Sequence, residues 1–114
     1  LYAHAGMLRV SAEANDEQID MKGVGHVSVD SGVPGDTELG ALADAAVLRD
    51  TDEMDTARAR GAGALGAPAA VRALAVTGNF VMMNRLLDAT GVGPTKGSHE
   101  IGAAIGVPPP PRWL

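Results

Sequence analysis

The longest apolar stretch of the chain, residues 67–92, predicts one helix. Pro68 stands where a helix begins, because a first-turn residue needs no N–H donor, and Gly91 stands where a left-handed residue ends a helix. The large apolar positions between them are Val71, Leu74, Val76, Phe80, Val81, Met82, Met83, Leu86 and Leu87. They occupy most of the helical circumference, and such a helix needs cover on most sides. We therefore predict a central helix over about 68–90, buried in the domain or between subunits.

The same stretch does not predict a membrane-spanning helix. Arg72, Arg85 and Asp88 interrupt it, and the uncharged part covers only residues 73–83. A bilayer needs roughly 20 apolar residues in a row. We therefore expect no membrane partner.

Apolar spacing also predicts helices on the N-terminal side. The segment 1–14 has an apolar stripe formed by Leu1, Ala5, Leu8 and Ala12. Asn15 and Gln18 have the spacing of a capping box, which predicts a short helix through Met21. A brief extended segment is expected within 24–33, where valines alternate with polar residues. After the turn at 34–37, one amphipathic helix is predicted to run to Arg58 or Arg60.

Glycine and proline content sets the expected organisation. Fifteen glycines among 114 residues imply many breaks, so we expect few helices and long loops. Loops are predicted at 61–66 and 93–98, and the prolines from 108 to 111 predict an extended tail. The whole chain is predicted to be all-α, with a single domain over 1–107 and a proline-rich tail over 108–114.

Charge and cysteine content exclude several classes of function. Nine basic and 14 acidic residues give a net charge of −5 without a basic cluster, so nucleic acid is not an expected partner. The chain has no cysteine, which excludes disulfides and thiol chemistry within it. This composition, without a signal peptide, favours the cytoplasm. Because the chain starts with Leu1 inside a predicted helix, we expect an N-terminal portion to precede it.

Three residues are the candidates for chemistry. Imidazole is a side chain that can give or take a proton, so His4 could exchange protons with a substrate, unless it is simply satisfied by a backbone carbonyl. Tyr2 could donate a hydrogen bond into the same site, or it could be an aromatic residue at a subunit contact. Arg85, on a helix expected to be buried, could bind a substrate carboxylate or form a structural ion pair.

Two further sets of polar residues bear on metal binding and on acid–base chemistry. His26 and His99 are not at metal-ligand spacing from His4 or from each other, so no metal site is predicted. Asp52 and Asp55, three residues apart, could form an acid and base pair or the solvated face at a helix end.

Several blocks of the chain resemble the carboxymuconolactone decarboxylase and alkylhydroperoxidase-D-like superfamily. The blocks are ALADAAVLRDTDEM at 41–54 and AVRALAVTGNFVMMNRLLDATGV at 70–92, which look like the last two helices of that family. The opening YAHAGMLRVSAEANDEQI at 2–19 is similar to its stretch with a histidine, a small-residue helix and a capped helix start.

The resemblance implies an all-helical subunit in a homo-oligomer, either an intertwined dimer, a trimer or a hexamer. It also implies a proton relay through His4, with Tyr2 beside it, that acts on a small organic acid, lactone or hydroperoxide without metal or cofactor. The family's peroxidase branch has two cysteines shortly before the histidine, and this chain starts after that place, so thiol-peroxidase chemistry cannot be assigned to it. The alternative is a non-catalytic helical oligomer or scaffold of the same fold.

Overall fold

The computed structural model describes residues 1–111, and over this range the protein is all-α, as predicted. Its helices are α1 (Tyr2–Ala14), α2 (Lys22–Gly25), α3 (Asp36–Leu48), α4 (Thr51–Leu65), α5 (Ala67–Thr90) and α6 (Ser98–Ile105). The expectation of few helices and long loops is therefore wrong. The last three residues of the predicted tail, 112–114, lie outside the described residues.

The extended segment expected within 24–33 is also wrong, because the described residues contain no strand. Side chains there bond to the backbone instead. The Asp30 carboxylate accepts a hydrogen bond of 2.8 Å from the N–H of Gly32, and the Ser31 hydroxyl accepts one of 3.2 Å from Val33. Such local bonds hold turns in place of strand pairing.

The helices form two compact units. One unit comprises Leu1–Pro34 and Gly93–Leu114, and the other comprises Gly35–Val92. This division into units does not test whether residues 1–107 form a single domain, which stays a prediction. Each unit has its own small core.

In the second unit, α3, α4 and α5 pack against one another around one large side chain. Leu42 is fully buried, and its buried neighbours are the small residues Ala45, Ala57 and Ala70. Gly61 of α4 is buried beside Leu42, and a Cβ atom there would lie 2.7 Å from Leu42 Cδ1. The core of this unit is therefore close-packed but made of few large apolar groups.

The single helix predicted to end at Arg58 or Arg60 is wrong, since the structure has two helices there. Arg49 takes a left-handed conformation (φ 58°) that ends α3, and Asp50 then caps α4 by accepting a 3.0 Å hydrogen bond from the N–H of Glu53. The loop predicted at 61–66 is wrong as well. Helix α4 continues to Leu65, and a single residue, Gly66 with φ 84°, separates it from α5.

The central helix is confirmed at both of its ends. Helix α5 spans 24 residues with a proline in its first turn, and Gly91 takes a left-handed conformation (φ 69°) after its last residue. The N–H groups of Gly91 and Val92 donate to the carbonyls of Asp88 and Leu87, which closes the helix end. The predicted cover is not found among residues 1–111, because Ala70 is the one buried residue of α5.

In the first unit, α6 packs against both α1 and α2. Its core consists of Ala5, Ile101 and Ile105, with Tyr2, Met21, Val24 and Val107 packed around them. Gly25 allows α2 to approach α6, because a Cβ atom there would collide with the carbonyl oxygen of Ile105. The proline-rich tail begins against α6, where Pro109 is buried beside Gly102.

The helix predicted over 1–14 is confirmed, but the cap predicted after it is wrong. Asn15 ends α1 rather than beginning another helix, since its side-chain amide donates 2.7 Å back to the carbonyl of Ser11. Asp16 then takes a left-handed conformation (φ 54°), which interrupts helical geometry. The next helix starts only at Lys22, whose N–H donates to the carboxylate of Asp20.

Candidate functional site

Helix α5 has two apolar faces on nearly opposite sides. Its first face, with Ala70, Ala73 and Leu74, packs into the core of the second unit. Continued at steps of three and four residues, that side becomes polar at Asn84 and Asp88. The side of the helix that carries the apolar residues therefore changes along its length.

We call the second apolar surface the α5 face, formed by Val76, Met82, Met83, Leu86 and Leu87. Each of these residues is exposed, from 39% for Met83 to 60% for Leu86. Val76, the half-buried Phe80, Met83 and Leu87 follow one another at steps of four, three and four residues. That spacing is typical of a seam between two packed helices.

The α5 face has no charged side chain. The polar group within it is Asn79, whose amide lies 3.5 Å from the sulfur of Met83. Beyond the face, the hydroxyl of Thr90 donates 2.8 Å to the carbonyl of Leu86, so it is satisfied within the helix. In the isolated chain these apolar side chains contact water, which is unfavourable.

Arg85 lies on the other side of α5 from this surface and is exposed. No carboxylate among residues 1–111 lies within ion-pairing distance of it. The structural ion pair, one of the two alternatives for Arg85, is therefore not formed among the described residues, because an exposed guanidinium stays hydrated and needs no partner. Its role in binding a substrate stays a prediction.

A second candidate site lies in the first unit. We call it the α1–α6 groove, a cavity of about 720 Å³ between α1 and the segment that leads into α6. Its apolar lining comes from Ala3, Gly6, Met7, Val10, Ala14 and Ile101, and its polar lining comes from Tyr2, Arg9, Ser11, Asn15, Thr95, Ser98 and Glu100. A mostly apolar cavity with a few polar groups is typical of a small-molecule site.

One ion pair crosses the α1–α6 groove. The guanidinium Nη1 of Arg9 lies 2.9 Å from the carboxylate Oε1 of Glu100. The Arg9 side chain is 35% exposed and that of Glu100 is 76% exposed. At the start of α6, the hydroxyls of Thr95 and the buried Ser98 lie 3.3 Å apart.

The structure separates the two residues predicted to form a proton relay. Tyr2 is half-buried and lines the α1–α6 groove. His4 is exposed and is not among the residues that line it. Residues two apart on a helix point in different directions. A catalytic role for His4 with Tyr2 stays a prediction, and the structure brings only Tyr2 to the groove.

The other polar candidates lie on exposed surfaces. Asp52 and Asp55 are both exposed on α4, and the Asp55 carboxylate pairs with Arg58 one turn later. Over residues 1–111, no group of three or more His, Asp or Glu side chains is placed to hold a metal ion. Within the same range, no helix combines the length and the apolar character needed to cross a membrane.

Sequence analysis missed the polar residues that α6 brings to the groove. The segment 93–98 was predicted as a loop and α6 was not predicted. The available signals were Ile101 and Ile105, four residues apart, followed by Gly106, which ends the helix in a left-handed conformation (φ 72°). Those signals predict a helix, but they do not indicate that α1 lies beside it.

Comparisons with known proteins assign nothing further to these sites. The chain matches no family model, no curated protein and no solved structure. The resemblance to the decarboxylase and hydroperoxidase-like superfamily stays a prediction, and a function for the chain has to follow from its own residues.

Proposed function

We propose that the chain is a non-catalytic helical assembly module that pairs with a second copy of itself through the α5 face. The observation that supports this is the change of apolar side along α5. The first half of the helix uses one side to complete the core of its own unit. From Val76 onward, the side chains of the α5 face point the other way and stay 39–60% exposed.

The size of the α5 face suits a contact between proteins. Large apolar side chains exposed by about half, together on one helix, approach the roughly 300–600 Å² that the largest apolar patch of a monomer reaches. From Val76 to Leu87 the face is about 18 Å long. With its half-buried neighbour Phe80 and the small residues around it, it offers much of the roughly 800 Å² that one partner contributes to a standard interface.

A second copy fits this face better than a charged partner does. A two-fold axis brings the same patch of both copies together, so the patch must be compatible with itself. The α5 face meets this condition because it is apolar and uncharged from Val76 to Leu87, with Arg72 one turn before it and with Arg85 and Asp88 on other sides of the helix. Two chains of net charge −5 can therefore meet there without placing like charges in contact.

The resemblance described above implies a homo-oligomer too, which agrees with the proposal. The catalytic alternative would need Tyr2 and His4 to face one substrate-sized cavity, and only Tyr2 lines the α1–α6 groove. We therefore propose assembly as the function and do not propose a reaction.

Sedimentation equilibrium over a range of concentrations tests the proposal. We expect a species of twice the chain mass of 11.6 kDa, which Leu86→Lys converts to monomer because a charge is costly in an apolar contact. Asp88→Lys is the control, since it also places a lysine on the same helix but on the side away from the α5 face, and it should leave the dimer intact. A wild-type chain that stays monomeric throughout, or two variants that behave alike, would contradict the proposal.

A further inference from the structure

We propose that the α1–α6 groove binds a small amphipathic monocarboxylate, with its carboxylate on Arg9 and its apolar chain along Met7 and Val10. The site lies in the first unit, so this proposal is independent of assembly through α5.

The apolar side chains that line the groove are exposed. Met7 is 64% exposed and Val10 is 59% exposed, although both line a cavity. The cavity volume of about 720 Å³ lies within the roughly 300–1,000 Å³ that small-molecule sites have. An alkyl chain of moderate length would cover both side chains and remove apolar surface from water.

At the polar end of the groove, Arg9 pairs with a carboxylate of the chain itself. The guanidinium of Arg9 binds the carboxylate of Glu100 through Nη1 at 2.9 Å. A guanidinium has five N–H donors in a planar fork, which suits a carboxylate better than it suits a neutral group. The contact with Glu100 therefore indicates that Arg9 can bind a carboxylate at this place in the groove.

The carboxylate of Glu100 is a replaceable partner. Its side chain is 76% exposed, so it can rotate into water and lose little, because exposed ion pairs contribute little stability. A ligand that also buries an alkyl chain gains more than Glu100 does from the same contact. Glu100 is thus a competitor for the site, and its removal should strengthen binding.

Calorimetry and backbone NMR with octanoate and octan-1-ol test this proposal. We expect octanoate to shift the amide signals of α1 and α6 and to bind about tenfold more tightly than octan-1-ol, since the neutral alcohol has neither the charge nor the two oxygens that pair with a guanidinium. Arg9→Gln should weaken octanoate binding about tenfold and leave octan-1-ol unchanged. Glu100→Gln should strengthen octanoate binding.

The matched control is Asp55→Asn, which breaks the exposed pair with Arg58 on α4 and should not change octanoate binding. Equal binding of octanoate and octan-1-ol, or weaker octanoate binding by Glu100→Gln, would overturn the proposal. It would also be overturned if octanoate did not bind and the groove signals shifted only with protein concentration, because a second copy would then cover the groove.

Discussion

The two halves of α5 use apolar side chains in opposite ways. The first half is packed through small residues such as Ala70 and Ala73, and the second half exposes large ones such as Met82 and Leu86. Within its own unit the helix therefore buries Ala70, with Ala73 and Leu74 half-buried beside it, and leaves most of its large apolar side chains in water. This difference indicates that the first half serves the fold of one chain, whereas the second half is suited to a contact with another.

The largest expected effect is at the core contacted by the first half. Leu42→Ala removes the one fully buried large side chain of the second unit and should lower the free energy of unfolding by about 2–5 kcal/mol. Urea denaturation in a Leu86→Lys background, which keeps the copies apart, measures this without a contribution from assembly. A loss below about 1 kcal/mol would mean that the small residues around Leu42 do not form the core that we describe.

A pair of glycines on α4 tests the close approach of the helices. Gly61→Ala places a methyl group 2.7 Å from Leu42 Cδ1, and the overpacking of roughly 1–3 kcal/mol should exceed the gain in helix propensity. Gly63 has open space around its Cα, so Gly63→Ala should stabilise the unit by up to about 1 kcal/mol.

The two denaturation midpoints should therefore move in opposite directions, Gly61→Ala to lower urea and Gly63→Ala to higher urea. If both variants were stabilised, Leu42 would have room to move, and the contact between α3 and α4 would not be close-packed.

The cap of α4 should have a smaller effect. Asp50→Ala removes the hydrogen bond to the N–H of Glu53 and should cost about 1 kcal/mol in urea denaturation. Asp50→Asn is the matched control, because it keeps an acceptor for the same N–H and should recover most of the loss. Neither change should alter the sedimentation of the protein, since Asp50 caps α4 and is not part of the α5 face.

The sequence predicted the ends of α5 but not its surroundings, for a physical reason. Pro68 and Gly91 are local signals, and the backbone obeys them directly. Which apolar face of a helix is covered depends instead on neighbours that periodicity does not identify. The break at Arg49 was missed because Val47 and Met54 are seven residues apart, which fits two turns of one uninterrupted helix, although Asp50 and Glu53 had the spacing of a cap.

The α1–α6 groove was beyond sequence analysis for a related reason. Its polar end joins Arg9 to Glu100, which lie 91 residues apart in the chain. No local pattern relates two such positions. Tyr2 was the one predicted site residue that the fold places in this groove.

The smallest expected effect on stability is also the sharpest test of the comparison between the halves of α5. Leu86 is 60% exposed in the isolated chain, so Leu86→Ala should change the free energy of unfolding of a dilute, monomeric sample by no more than about 0.5 kcal/mol. In a dimer the same side chain is covered, and its truncation should weaken association by roughly tenfold or more. The measurements are urea denaturation at low concentration and sedimentation equilibrium at high concentration. A variant that lost stability in the monomer would show that Leu86 already packs within its own chain, and the second half of α5 would then serve the fold as the first half does.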